Sequence, residues 1–132
     1  MLDSMVLPGI RADARLQGLR VLTAEDEPLL SIALEDMLGE LGCHVVASAA
    51  TLAQALEFGS GRAFDIAVLD VSLGSEKIYP AADAISARGI PVVLATGHSS
   101  SDTSVRMGAN GVIEKPFTSK TLEKALLDAL AN

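Results

Sequence analysis

The sequence predicts an α/β fold: a doubly wound parallel sheet built from five βα units, (βα)5. Three observations carry this. Short apolar runs alternate with segments of helical period along the chain. Runs such as Ile66-Ala67-Val68-Leu69 and Val92-Val93-Leu94-Ala95 lack strict in-out alternation, as strands covered on both faces do. Polar residues fall just past these runs: Glu25-Asp26-Glu27, Asp70, Thr96 and Lys115-Pro116. In an open α/β sheet such positions gather at the carboxyl edge, where ligands bind.

Each element has a local reason. Residues 1–18 show no clear period and form an extension, open as a short helix, a flexible arm or start-site surplus, to a domain over residues 19–132. Strand one is Arg20–Ala24. Pro28, favoured in a first helical turn, opens helix one, with Leu30, Leu34, Met37 or Leu38, and Leu41 as its apolar stripe and Gly42 as its stop. Strand two is His44–Ser48. Thr51 caps helix two, which runs through Leu52, Ala55 and Leu56 to Gly59. Strand three is Asp65–Leu69. A loop from Gly74 to Pro80 leads to helix three, Ala81–Arg88, and strand four, Pro91–Ala95. A Ser-rich loop and a short helical stretch, Asp102–Met107, precede strand five, Gly111–Glu114. Thr118 or Ser119 caps the last helix, which turns Leu122, Leu126, Ala129 and Leu130 inward.

Composition narrows the function class. A chain of 132 residues that is 49% hydrophobic can bury a core and is not wholesale disordered. The net charge of -7 argues against nucleic-acid binding, which wants a basic face. No run approaches a membrane span, and Asp3, Pro8, Arg11, Asp13 and Arg15 break up any signal-peptide core. The single cysteine, Cys43, cannot close an internal disulfide. The expectation is a cytoplasmic protein with neither nucleic-acid nor membrane partners.

Singly, each polar motif has a plain structural reading: an acidic turn at a helix N-terminus, a strand-ending Asp, a Thr before Gly, a surface lysine. Together they follow strands one, three, four and five in order. Strand two, the edge strand of a flavodoxin-like order 2-1-3-4-5, contributes none. Clustered carboxylates need a cation, and a hydroxyl and a lysine at the same edge suit a phosphoryl group. The residue types alone fit Mg²⁺ and a phosphoryl group on Asp70. Lys before Pro, just past a strand, suits a fixed, cis-compatible bond that aims the side chain.

Glu25-Asp26-Glu27-Pro28, Asp70, Thr96 and Lys115-Pro116-Phe117 resemble the receiver domain of two-component response regulators, over about Leu19–Leu130. The resemblance implies a signalling phosphoacceptor that catalyses only its own phosphorylation and dephosphorylation. Asp70 would accept the phosphoryl group from a sensor histidine kinase or a histidine phosphotransfer protein. Asp26, with Glu25, Asp70 and the backbone carbonyl of Ser72, would hold Mg²⁺. Thr96 and Lys115 would bind phosphoryl oxygens. Output would be partner binding or phosphorelay, with a homodimer admitted. Asp70-Val71-Ser72-Leu73-Gly74, Arg88-Gly89-Ile90-Pro91 and Leu94-Ala95-Thr96-Gly97 are further similar to alphaproteobacterial single-domain regulators with a Phe-Ala-Thr-Gly motif, with Leu94 in place of the Phe and Ser99 in place of a following Tyr.

Departures from the family pattern bear on output. Val112 stands where most receivers carry an aromatic switch residue, and the span from Thr96 to Lys115 is short. Segment 97–108, rich in Gly and Ser, is expected to order on phosphorylation. His98 reads as an exposed loop residue or as a control on water access, and His44 as a strand-start residue rather than a phosphodonor. Two alternatives stand beside the receiver: an unphosphorylated interaction module on the same fold, and a Mg²⁺-dependent phosphatase with an aspartyl nucleophile.

Overall fold

The computed structural model describes residues 13–97 and 109–131. The large sheet contains β1 (Arg20–Ala24), β2 (His44–Ala49), β3 (Ile66–Asp70), β6 (Val92–Thr96) and β7 (Gly111–Glu114), all parallel, in the order β2-β1-β3-β6-β7. Counting only these five strands, this is the 2-1-3-4-5 order expected from the sequence. A separate antiparallel pair, β4 (Ser72–Leu73) and β5 (Glu76–Lys77), follows β3. The helices are α1 (Pro28–Glu40), α2 (Leu52–Gly61), α3 (Tyr79–Ala87) and α4 (Ser119–Ala131). None is long and apolar enough to cross a membrane.

Alternate strand residues serve two separate cores. Val21, Ile66, Val68, Val93 and Ala95 pack with Leu34 and Leu38 of α1 and Leu122 and Leu126 of α4. Leu22, Ala67, Leu69, Val92 and Leu94 pack with Ala55 of α2 and with Ala81 and Ile85 of α3. Both faces are therefore covered, and this is why the sequence shows apolar runs in place of alternation. Of the expected extension, Leu16 is buried, while Ala14, Arg15, Gln17 and Gly18 are exposed. A 3-10 turn, Ala14–Leu16, buries Leu16 completely, and the Gly18 N–H donates to Gly42 O at 2.8 Å.

Caps fall where side chains can supply them. Thr51 Oγ1 accepts from Gln54 N at 3.1 Å, while Gln54 Oε1 accepts from Ala50 N at 2.8 Å. Thr118 Oγ1 accepts from Thr121 N at 3.2 Å. Gly42, at φ +93, turns the chain out of α1 in a conformation that side chains rarely adopt. Arg88 donates to Gly59 O and, at 2.9 Å, to Arg62 O, and its guanidinium lies 5.2 Å from the Phe64 ring centroid.

Several expectations need correction. Leu30 is 43% exposed, beside Leu29 at 80% and Ile32 at 56%, so the buried stripe of α1 begins only at Leu34. Asp70 and Thr96 lie inside their strands, not past them. The Gly74–Pro80 loop contains the β4–β5 hairpin, and α3 starts at Tyr79, with Pro80 within its first turn. Helix α2 continues past Gly59 to Gly61. His98, the serines at 99–101 and the Asp102–Met107 stretch lie outside the described residues.

At Gly59, α2 packs tightly against Ile85 of α3. A Cβ there would lie 2.9 Å from Ile85 Cγ1, and a β-branched residue on a helix has little χ1 freedom to yield. Gly59→Ala is expected to destabilise through overpacking, an effect of about 1–3 kcal/mol opposed by a gain in helix propensity of about 1 kcal/mol. Ile85→Ala alone should cost about 2–5 kcal/mol. The double variant should cost less than the sum, because the new methyl occupies space that Ile85 vacates. Urea unfolding of the four proteins measures this coupling, and strict additivity would show that the two residues do not compete for the same space.

Candidate functional site

The parallel register sets the ends of β1, β3 and β6 side by side. Ala24 lies opposite Leu69, and Asp70 opposite Ala95. Glu25 and Asp26 leave the end of β1, and Asp70 ends β3, so one oxygen from each of these three carboxylates falls within 4.8 Å of the others. Glu25 and Asp70 are buried and Asp26 is exposed.

Lys115 reaches this cluster from beyond β7. Its amide donates to Thr96 O at 2.8 Å, which fixes the root of the residue on the neighbouring strand. The Lys115-Pro116 bond is cis. Lys115 Nζ donates to Asp70 Oδ2 at 2.9 Å and to Glu25 Oε1 at 3.2 Å. Burial of the ammonium works against its charge. The bonds and charges of Asp70 and Glu25 outweigh that and raise its pKa above the ordinary 10.5. Burial raises the Glu25 carboxyl, and the charge of Asp70 adds to this, while the Glu27 amide at 3.2 Å and Lys115 oppose it.

The backbone after β3 holds the other carboxylate oxygens. Ser72 N donates to Asp70 Oδ1 at 3.2 Å, so both oxygens of Asp70 are engaged. Gly74 N donates to Asp26 Oδ2 at 2.9 Å. The structure thus brings Glu25, Asp26, Asp70, Ser72 and Lys115 together. Thr96 is buried at the end of β6, the strand between those of Asp70 and Lys115. Val112 sits in β7 opposite Leu94. His44 lies at the start of β2, and buried Cys43 packs below α1 in the α1–α4 core, where desolvation pushes its thiol up to about 11. The hairpin contacts were missed in the sequence. Gly74-Ser75 between Ser72-Leu73 and Glu76-Lys77 is a two-residue hairpin signal that could have shown them.

The cluster can hold a hard divalent cation. Its donors are all carboxylate oxygens, and among the described residues Lys115 is the one ammonium within ion-pair distance of it. Comparison with known proteins gives the family. A family model described as "Response regulator receiver domain" matches residues 21–127. The transcriptional regulatory protein PdtaR of Mycobacterium tuberculosis is 33% identical over 126 residues, or 92% of this chain, and the chain spans 61% of that relative's length. The solution structure of SdrG from Sphingomonas melonis Fr1 is 42% identical with a TM-score of 0.74, covering 86% of this chain and 97% of that one. The receiver domain of Erythrobacter litoralis PhyR is 27% identical with a TM-score of 0.75, covering 89% and 94%.

Two stability measurements test these electrostatics. Lys115→Met should cost about 1.5–3 kcal/mol at neutral pH, the usual worth of hydrogen bonds to charged groups. A raised lysine pKa stabilises fully below 10.5 and loses that contribution as pH climbs through the higher folded value. The gap between wild type and variant should therefore close above pH 10.5. The raised Glu25 pKa has the matching sign: its stabilisation is full below the ordinary 4.5 and is lost as pH rises through the folded value. Glu25→Gln should then raise the neutral-pH melting temperature of the metal-free protein, and a lower one would contradict the burial argument.

Proposed function

Because this chain belongs to the response regulator receiver domain family, we propose that Asp70 is its phosphoacceptor, charged from a phosphohistidine on a sensor kinase or phosphotransfer protein. One observation carries the reading: Lys115 Nζ bonds Asp70 and Glu25 at once, with Asp26 in the same carboxylate cluster. Glu25, Asp26 and Asp70 would hold Mg²⁺, with the Ser72 carbonyl as a further ligand. The fit lies in the donor set, which is all hard oxygen. The bound ion would neutralise charge between the Asp70 carboxylate and the incoming phosphoryl oxygens.

The chain's own residues do the rest. The Ser72 amide and Lys115 fix the plane of the Asp70 carboxylate, which orients it before the donor arrives. An oxygen of Asp70 forms a bond to phosphorus as the phosphorus–nitrogen bond to the donor imidazole breaks. The imidazole takes up a proton and leaves neutral. Lys115 passes from the carboxylate to a phosphoryl oxygen, which carries the added charge. Thr96 donates its hydroxyl to another phosphoryl oxygen. Water later attacks phosphorus, releases inorganic phosphate and restores the carboxylate.

Val112 cannot serve as an aromatic switch, so output runs through the Thr96 end of β6 and the segment after it. The likeness of Leu94–Gly97 and Asp70–Gly74 to the Phe-Ala-Thr-Gly regulators supports a regulator of that kind. Burial pushes the Cys43 thiol up to about 11, which keeps it out of disulfide exchange.

Incubation with a small phosphodonor and Mg²⁺ should label the protein stably at one site. Asp70→Asn should abolish labelling while leaving the circular dichroism spectrum unchanged. Asp26→Asn should weaken Mg²⁺ binding by at least about tenfold. Labelling of the Asp70→Asn variant at the wild-type level would overturn the assignment, and steady turnover of the donor without a stable adduct would indicate a phosphatase.

A further inference from the structure

The β4–β5 hairpin touches two of the three carboxylates through its backbone. Ser72 N donates to Asp70, and Gly74 N donates to Asp26. Its ladder is only two residues long, Ser72 opposite Lys77 and Leu73 opposite Glu76. So short a pair has little stability of its own in water. At its base the Ile78 amide returns to Val71 O at 2.9 Å, and Ile78 is fully buried, so one end is anchored in the core. At the same end Lys77 Nζ donates to Ser72 Oγ across the pair at 3.0 Å. Among the described residues Lys77 forms no ion pair. This exposed lysine is committed to a neutral hydroxyl two residues from Asp70.

We propose that Lys77 is a positioning residue of the phosphoryl-transfer site: by holding Ser72 Oγ it fixes the hairpin backbone whose amides orient Asp70 and Asp26. The inference rests on the reading of Asp70 as phosphoacceptor and of the cluster as a Mg²⁺ site. Its physical content is preorganisation. With Lys77 in place, Ser72 and Gly74 are held in register before the cation and the phosphoryl group arrive. Without it, the carboxylates must be ordered at the moment of binding, which weakens binding. Because Lys77 touches neither Asp70 nor Asp26 directly, its effect passes through Ser72.

The test uses the full chain with Mg²⁺ alone and then with a small phosphodonor. Lys77→Met keeps the aliphatic stem and removes the donor. It should weaken Mg²⁺ affinity by about tenfold, the scale of groups that orient metal ligands. It should also slow labelling at subsaturating Mg²⁺, with an unchanged melting temperature in the metal-free state. Lys77→Arg should recover part of the affinity. Ser72→Ala keeps the backbone amide and carbonyl and should reproduce Lys77→Met, and the double variant should be no weaker than either single one. Wild-type Mg²⁺ affinity in Lys77→Met, or additive losses in the double variant, would overturn the proposal. A wild type that stays unlabelled while Lys77→Met still weakens Mg²⁺ binding would overturn the phosphoacceptor reading and support the positioning role.

Discussion

Everything at the carboxyl edge depends on one electrostatic balance: carboxylates crowded by the sheet register against one lysine reaching in from two strands away. Parallel pairing leaves no freedom here. Once β1 and β3 pair as they do, Glu25 and Asp70 leave adjacent strand ends, and their like charges are concentrated in a buried place. Lys115 spans β6 to meet them, with its backbone tied to Thr96. The arrangement is held by that ion triad but not saturated by it, since Asp26 stands outside the triad, exposed and met by the Gly74 amide. Carboxylates so placed offer hard oxygen donors that could hold a further cation. That is what a protein needs if occupancy of the site is to be its signal.

Most of the sheet was legible in the sequence, because a doubly covered strand must be apolar throughout and the polar residue that ends it stands out. Strands one and five, Arg20–Ala24 and Gly111–Glu114, have the expected bounds, and the others differ by a residue or so at their ends. Helix one was harder. Leu29, Leu30, Ile32 and Leu34 are all apolar, so period alone could not say which of them face the core, and only packing on β1 and β3 separates Leu34 from Leu30. The carboxylates and Lys115 could be placed at one edge from strand order alone. Which oxygen meets which donor could not, because those contacts depend on the loop after β3. A two-residue strand pair has no periodicity to detect, and its Gly-Ser turn was the one local sign.

The two cores have different characters. On the α1 and α4 side, Leu34, Leu38, Leu122 and Leu126 fill the space with large side chains, and Leu16 closes that face from the amino-terminal side. On the α2 and α3 side, small residues such as Ala55, Gly59, Ala81 and Ala82 bring two helices close together. Close backbone approach leaves little slack. The Gly59 contact with Ile85 belongs to this tight face, which also covers β6 through Val92 and Leu94.

Arg88 gives that tight face an unusual sensitivity to drift. Its planar guanidinium serves two carbonyls, those of Gly59 and Arg62, while lying over Phe64. A lysine brings the same charge and similar reach, but a single ammonium cannot offer two parallel donors and a flat surface together. The exchange that a substitution matrix scores as mildest is therefore poorly tolerated here. A residue that simply vacates the place leaves both carbonyls without these donors. Charge preservation is the wrong measure of neutrality at this position, and shape is the right one.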